Sequence, residues 1–217
     1  ADMVNIGALM LLVPGLLFTN AMRDIIYGDI NSGTNRIVQV LLIAAAIVTG
    51  TAAAWKVAAV LWGDPVVHAV ADIGIWQTLL PCAIAGLGFC VVFNIHGWGM
   101  LLCTLGGVLT WGIYRLTMGV FDGDLIPLFC ATLFSAAYSE VMARVRRCPA
   151  IGYLVIAIFP LIPGSGVYYT MEAAVQGNMP LFASKGMLTA AIAGTMALGI
   201  LLISTGVRLW TTQKNKK

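Results

Sequence analysis

The 217-residue chain is 60% hydrophobic and only 10% charged, with a formal net charge of +3. A soluble domain carries about 25% charged residues, so this composition excludes an ordinary globular protein and places the chain among integral membrane proteins. The small positive charge is scattered or held at segment ends rather than gathered in a stripe, which excludes a nucleic-acid partner and reads as a topology signal.

Apolar runs between polar breaks predict an all-α membrane protein, a polytopic helical bundle of about seven transmembrane helices. They lie at 3–27, 36–62, 75–94, 98–120, 125–145, 149–176 and 184–209. Stretches such as Ile37 to Ala54 and Met187 to Val207 hold no Asp, Glu, Lys or Arg. At about 1.5 Å per residue each crosses roughly 30 Å of hydrocarbon, given a short extension or modest thinning. The first run opens almost at Ala1, without the basic start and cleavage site of a signal peptide, so a preceding segment is expected. The stretch Gly63 to Gly74, with Asp64, Pro65, His68 and Asp72, is the expected boundary between residues 1–63 and 64–217.

Lys and Arg in short loops mark the cytoplasmic side. If the Arg144, Arg146, Arg147 cluster and the Lys214, Lys216, Lys217 tail are cytoplasmic, seven alternating spans put Arg23, Arg36 and Arg208 there too. Only Lys56, Arg115 and Lys185 then lie outside. The C-terminus is expected in the cytoplasm.

A repeat runs at an offset of 149 residues: Leu12-Val13-Pro14-Gly15 matches Leu161-Ile162-Pro163-Gly164. It continues from Met22 to Met171, Gly28 to Gly177, Asp29 to Asn178, Arg36 to Lys185 and Gly50 to Gly199. Matching helices lie five spans apart, an odd number, which predicts an inverted-topology repeat. The chain then holds the last two spans of the first copy and all five of the second, so the parent architecture is about ten spans.

Proline removes a backbone donor and glycine relaxes steric limits, so each Pro-Gly is expected to break its span near mid-membrane. Unpaired backbone groups are tolerated there only in protein or against a wet cavity, which makes the two broken helices candidate walls of one solute site. The alternative is a plain kink healed by neighbouring helices. The first break offers Pro14, Gly15, Thr19, Asn20 and Arg23 as substrate-binding residues, with Arg23 suited to a carboxylate and Asn20 to an amino or hydroxyl group. Asp24 and Asp29 are proton-coupling candidates. The competing reading makes Arg23 and Arg36 cytoplasmic anchors with the two aspartates as surface partners, since Arg23 stands roughly 13 Å beyond Pro14 along a helix. The second break offers Pro163, Gly164, Ser165, Gly166, Tyr168, Tyr169 and Thr170, with Glu172 at the position of Arg23 as a further proton carrier. The two tyrosines also suit an interfacial belt.

The five cysteines show neither metal nor disulfide spacing and read as core thiols. No metal or cofactor is expected. His96 reads as a solvated loop histidine, and Glu140 and Arg144 as a helical ion pair. Arg115 is expected to snorkel. Gly86-Leu87-Gly88 and Gly106-Gly107 read as small-residue helix contacts rather than phosphate loops. An intramembrane enzyme is disfavoured, because no His-Glu-x-x-His or Gly-x-Ser-x-Gly string occurs.

The segment Leu11 to Asp24, followed by Gly28-Asp29-Ile30-Asn31-Ser32-Gly33 and Arg36, resembles the threonine/serine exporter family. Gly88-Phe89, Phe93-Asn94, Gly106-Gly107, Ala143-Arg144, Pro149 and Pro160 to Gly164 resemble that family's partner domain. The resemblance implies a bacterial inner-membrane exporter of about ten spans that drives L-threonine and L-serine outward with the proton motive force, sometimes split over two chains. Some members resemble dicarboxylate exporters, with succinate as cargo. It implies a small-molecule substrate and a lipid bilayer. A homo-oligomer, a partner chain, or a role as a non-transporting subunit stays open.

Overall fold

Every described element of the computed structural model is helical, and the description covers residues 14–62 and 74–214. The start of the first predicted span, the Gly63 to Gly74 boundary apart from Gly74, and Lys216 and Lys217 lie outside the described residues. In chain order the helices are α1 (Gly15–Ile26), α2 (Ile30–Trp62), α3 (Ile75–Val92), α4 (Trp98–Met118), α5 (Leu125–Arg146) and α6 (Ala150–Ile158). A 3-10 turn (Phe159–Leu161), α7 (Gly164–Val175) and α8 (Met179–Lys214) follow. Among the described residues, four stretches are long and apolar enough to cross a membrane: Ile30–Ala58, Trp98–Met118, Leu125–Arg146 and Met179–Thr211. A fifth forms if Ala150–Leu161 and Gly164–Val175, bent by 53° at their break, count as one span. Trp76–Val92 is apolar but shorter.

The second Pro-Gly motif interrupts its helical run as expected. Pro160 and Pro163 carry no amide hydrogen, so the last turn of α6 tightens into the 3-10 turn and Ile162 adopts an extended backbone before α7 begins.

The 149-residue offset recurs in backbone geometry. Pro14 (φ −80, ψ 42) precedes α1 as Pro163 (φ −78, ψ 51) precedes α7. Both helices run for 12 residues and end at equivalent positions. The chain then turns through Gly28 (φ +93) and Gly177 (φ +73), left-handed conformations that a side chain strains to adopt. Asp29 Oδ1 accepts from the Ser32 amide at 3.2 Å, and Asn178 Oδ1 from the Leu181 amide at 3.1 Å, so each residue caps the start of the next long helix. The buried positions Val40, Ala44 and Val48 in α2 are matched at the same offset by Thr189, Ala193 and Ala197 in α8.

The described residues fall into two compact units. The first comprises the described parts of residues 1–72 and 163–194: α1, α2, α7 and the first half of α8. Val40, Ala44 and Val167 form its core, with Leu17, Phe18, Ile47 and Met171 packed against it. The second comprises the described parts of residues 73–162 and 195–217. Its core gathers Cys90, Cys103, Tyr153 and Ile156. Gly86 lies against Thr104, Gly106 against Tyr138 and Ala157, and Gly107 against the Ile156 carbonyl, so these glycines let helices approach closely. For Gly88, no side chain or foreign backbone among the described residues comes within 4 Å of the position its Cβ would take. Among the described residues the cysteines are free thiols. The expected Glu140–Arg144 pair forms at 2.9 Å, and His96 Nδ1 lies 3.1 Å from the Asn94 carbonyl in its exposed turn.

Candidate functional site

The first unit brings both Pro-Gly motifs into one body, and helices α1 and α7 touch directly. Pro14, Gly15, Pro163 and Gly164 are buried, whereas Ser165 is exposed. Proline offers no side-chain cap, so each helix begins with amides that no side chain satisfies. Helical bonding starts from Phe18 N to the Pro14 carbonyl at 3.0 Å and from Val167 N to the Pro163 carbonyl at 3.2 Å. Each start therefore carries the positive end of a helix dipole.

Hydroxyls cluster along the inner faces of this unit. Thr19 donates to the Gly15 carbonyl at 3.1 Å, Thr170 to that of Gly166 at 2.6 Å, and Thr189 to that of Lys185 at 2.7 Å. Thr51 Oγ1 lies 2.9 Å from the carbonyls of both Ile47 and Val48, so its proton is engaged within α2. The contact of 3.3 Å between Thr51 Oγ1 and the Tyr168 hydroxyl then reads with Tyr168 as donor. It ties α7 to α2. Tyr169 meets the Tyr168 ring edge-on with centroids 5.6 Å apart, and is itself 38% exposed, so it stands on the outer side of α7. Gly166 packs against Thr189. Thr51 and Thr189 were not singled out from sequence, although a hydroxyl inside a charge-free span is a visible signal.

The charged candidates sit at the far end of α1 from Pro14. Asp24 accepts from Arg36 at 3.0 Å and from the Ser32 hydroxyl at 3.3 Å. Asp29 serves as the helix cap already described. Arg23 is half-buried with its guanidinium 5.5 Å from the centroid of the Tyr27 ring, a cation–π contact. Glu172 is half-buried on α7 at the equivalent position. Asn20, one turn before Arg23, is half-buried as well.

A family model described as Threonine/Serine exporter, ThrE, matches residues 78–205, and a second threonine/serine exporter model matches residues 1–58. The chain belongs to the threonine/serine exporter family. No solved structure matches it. The family and the apolar helices make this a multi-pass membrane protein of a transporter family, with a small-molecule substrate and a bilayer as its surroundings. The two matched stretches carry one Pro-Gly motif each.

Proposed function

We propose that the chain is a secondary active transporter that exports L-threonine and L-serine with the proton motive force across a bacterial inner membrane, its C-terminus in the cytoplasm. The carrying observation is that two Pro-Gly helix starts with the same backbone geometry lie in one compact unit of an exporter-family chain. Helix starts of this kind receive anionic substrate groups in transporters built from inverted repeats. On this reading residues 1–63 end a first repeat and 64–217 form a second of five spans, inverted relative to the first. Seven spans then cross the bilayer, and alternating access moves one repeat against the other.

Arg23, at the far end of α1, takes the substrate carboxylate as it enters the path toward the helix starts, and Asn20 binds its amino or hydroxyl group. Pro14, Gly15, Thr19, Pro163, Gly164, Ser165, Gly166 and Tyr168 line the path, with Tyr169 behind Tyr168 on the outer side of α7. Glu172, half-buried at the position equivalent to Arg23, carries the proton on this reading, with Asp24 and Asp29 as the other candidates.

A dicarboxylate of succinate type is the second reading. The paired helix starts favour it, because two equivalent positive ends suit two carboxylates.

Proteoliposomes loaded with labelled threonine, serine or succinate test both. We expect threonine and serine efflux that follows an imposed pH gradient and collapses with an uncoupler. Succinate efflux alone would move the assignment to the second reading. Flux of none of the three would leave the chain as a non-transporting subunit.

A further inference from the structure

We propose that the second unit holds a binding site for a desolvated monovalent alkali cation, formed by the Thr110 hydroxyl of α4 and backbone carbonyls of the Phe159–Leu161 turn.

Thr110 is 0% exposed, and its hydroxyl has no hydrogen-bond partner among the described residues. The buried threonines Thr19, Thr132, Thr170 and Thr189 instead turn back to the carbonyl four residues earlier. A dry, unpaired hydroxyl is costly, so it points to an occupant.

The register of two helices shows where it lies. The Cys103 thiol is 3.9 Å from the Gly152 carbonyl, Gly106 packs on Ala157, and Gly107 packs on the Ile156 carbonyl. Helices α4 and α6 thus run side by side in the same direction. Thr110, three residues beyond Gly107, falls level with Phe159–Leu161, and α4 contacts that turn.

The turn is short of donors. Pro160 cannot donate to the Ile156 carbonyl, which takes the Phe159 amide instead. Pro163 cannot donate to the Phe159 carbonyl, which is left with a 3.3 Å contact from the Ile162 amide. A hydroxyl oxygen and the free lone pairs of the turn's carbonyls make an uncharged, all-oxygen ligand set. Unwound carbonyls coordinate monovalent ions in broken-helix transporters. A divalent ion would need carboxylates, and no cluster of three His, Cys, Asp or Glu occurs among the described residues. A bound cation would tie α4 to the Phe159–Leu161 turn.

The test uses the full purified chain in detergent and does not depend on transport, so it can fail or succeed independently of the proposed substrate. Thermal unfolding midpoints are compared in sodium, potassium and choline chloride at equal ionic strength and pH. The native chain and Thr110→Ser are expected to gain roughly 3–6 °C per tenfold of sodium or potassium above its Kd, with no gain in Thr110→Val. If Thr110→Val does not fold, Thr110→Ala takes its place with the same expectation. Equal midpoints in all three salts, as an internal water alone would give, overturn the proposal. So does an unchanged cation response in the valine or alanine variant.

Discussion

Replacing Arg23 by Gln is expected to lower threonine and serine efflux by about 100-fold, while the protein still folds. The size, about 2.7 kcal/mol, follows from the glutamine amide keeping one of two hydrogen bonds to the carboxylate and losing a charge-assisted one, worth about 1.5–3 kcal/mol. Folding should survive because Arg23 stacks on the exposed Tyr27 ring, and the neighbouring Asp24 takes Arg36 as its partner. Arg36→Gln is the matched control. It breaks the Asp24 pair, which is 25–41% exposed, and so should cost about 0.2–1 kcal/mol of stability with efflux largely kept. Labelled-substrate efflux and unfolding of both variants, measured together, separate the two arginines. Equal losses of efflux would make Arg23 another anchor of the helix end.

Gly166→Ala should destabilise the first unit by about 1–3 kcal/mol, the usual cost of overpacking. A Cβ at Gly166 would stand 2.6 Å from Thr189 Oγ1 and 3.1 Å from its Cγ2, so α7 and α8 must part or Thr189 must change rotamer. Rotation is resisted by the 2.7 Å hydrogen bond from Thr189 to the Lys185 carbonyl. Adding Thr189→Ala removes both crowding atoms and should restore part of the loss. A double-mutant cycle on the unfolding midpoint reads this coupling directly, and additive effects would show that the contact is not tight. Because Gly166 sits in the first turn of α7, just after the break, the single variant is also expected to slow efflux.

Much of this arrangement was legible before the structure. Pro14-Gly15 and Pro163-Gly164, then Gly28-Asp29 and Gly177-Asn178, are positions where the backbone itself demands particular residues, and they recur as matched helix starts, left-handed turns and caps. The buried stripe was not legible, because Val40, Ala44 and Val48 correspond to Thr189, Ala193 and Ala197, and packing tolerates such exchanges where a positive φ does not. The Tyr168–Thr51 contact joins residues 117 apart, and no local periodicity reports that. Asp24 was visible as an ion-pair candidate, but its choice of Arg36 over Arg23 depends on the turn through Gly28 that folds α2 back along α1. That Gly86 meets Thr104 while Gly88 meets nothing among the described residues was not legible, because composition does not reveal which face of α3 meets a neighbour.

The account stands on the two copies crossing the bilayer in opposite senses. In intact cells carrying a cysteine-free background, single cysteines are placed in the turn at Tyr27 and in the matching turn at Gln176, and are challenged with a membrane-impermeant maleimide from outside. The Gln176 position is expected to label, and the Tyr27 position only after the membrane is permeabilised. Labelling of both from the same side would contradict the inverted arrangement, and with it the shared site between the two helix breaks.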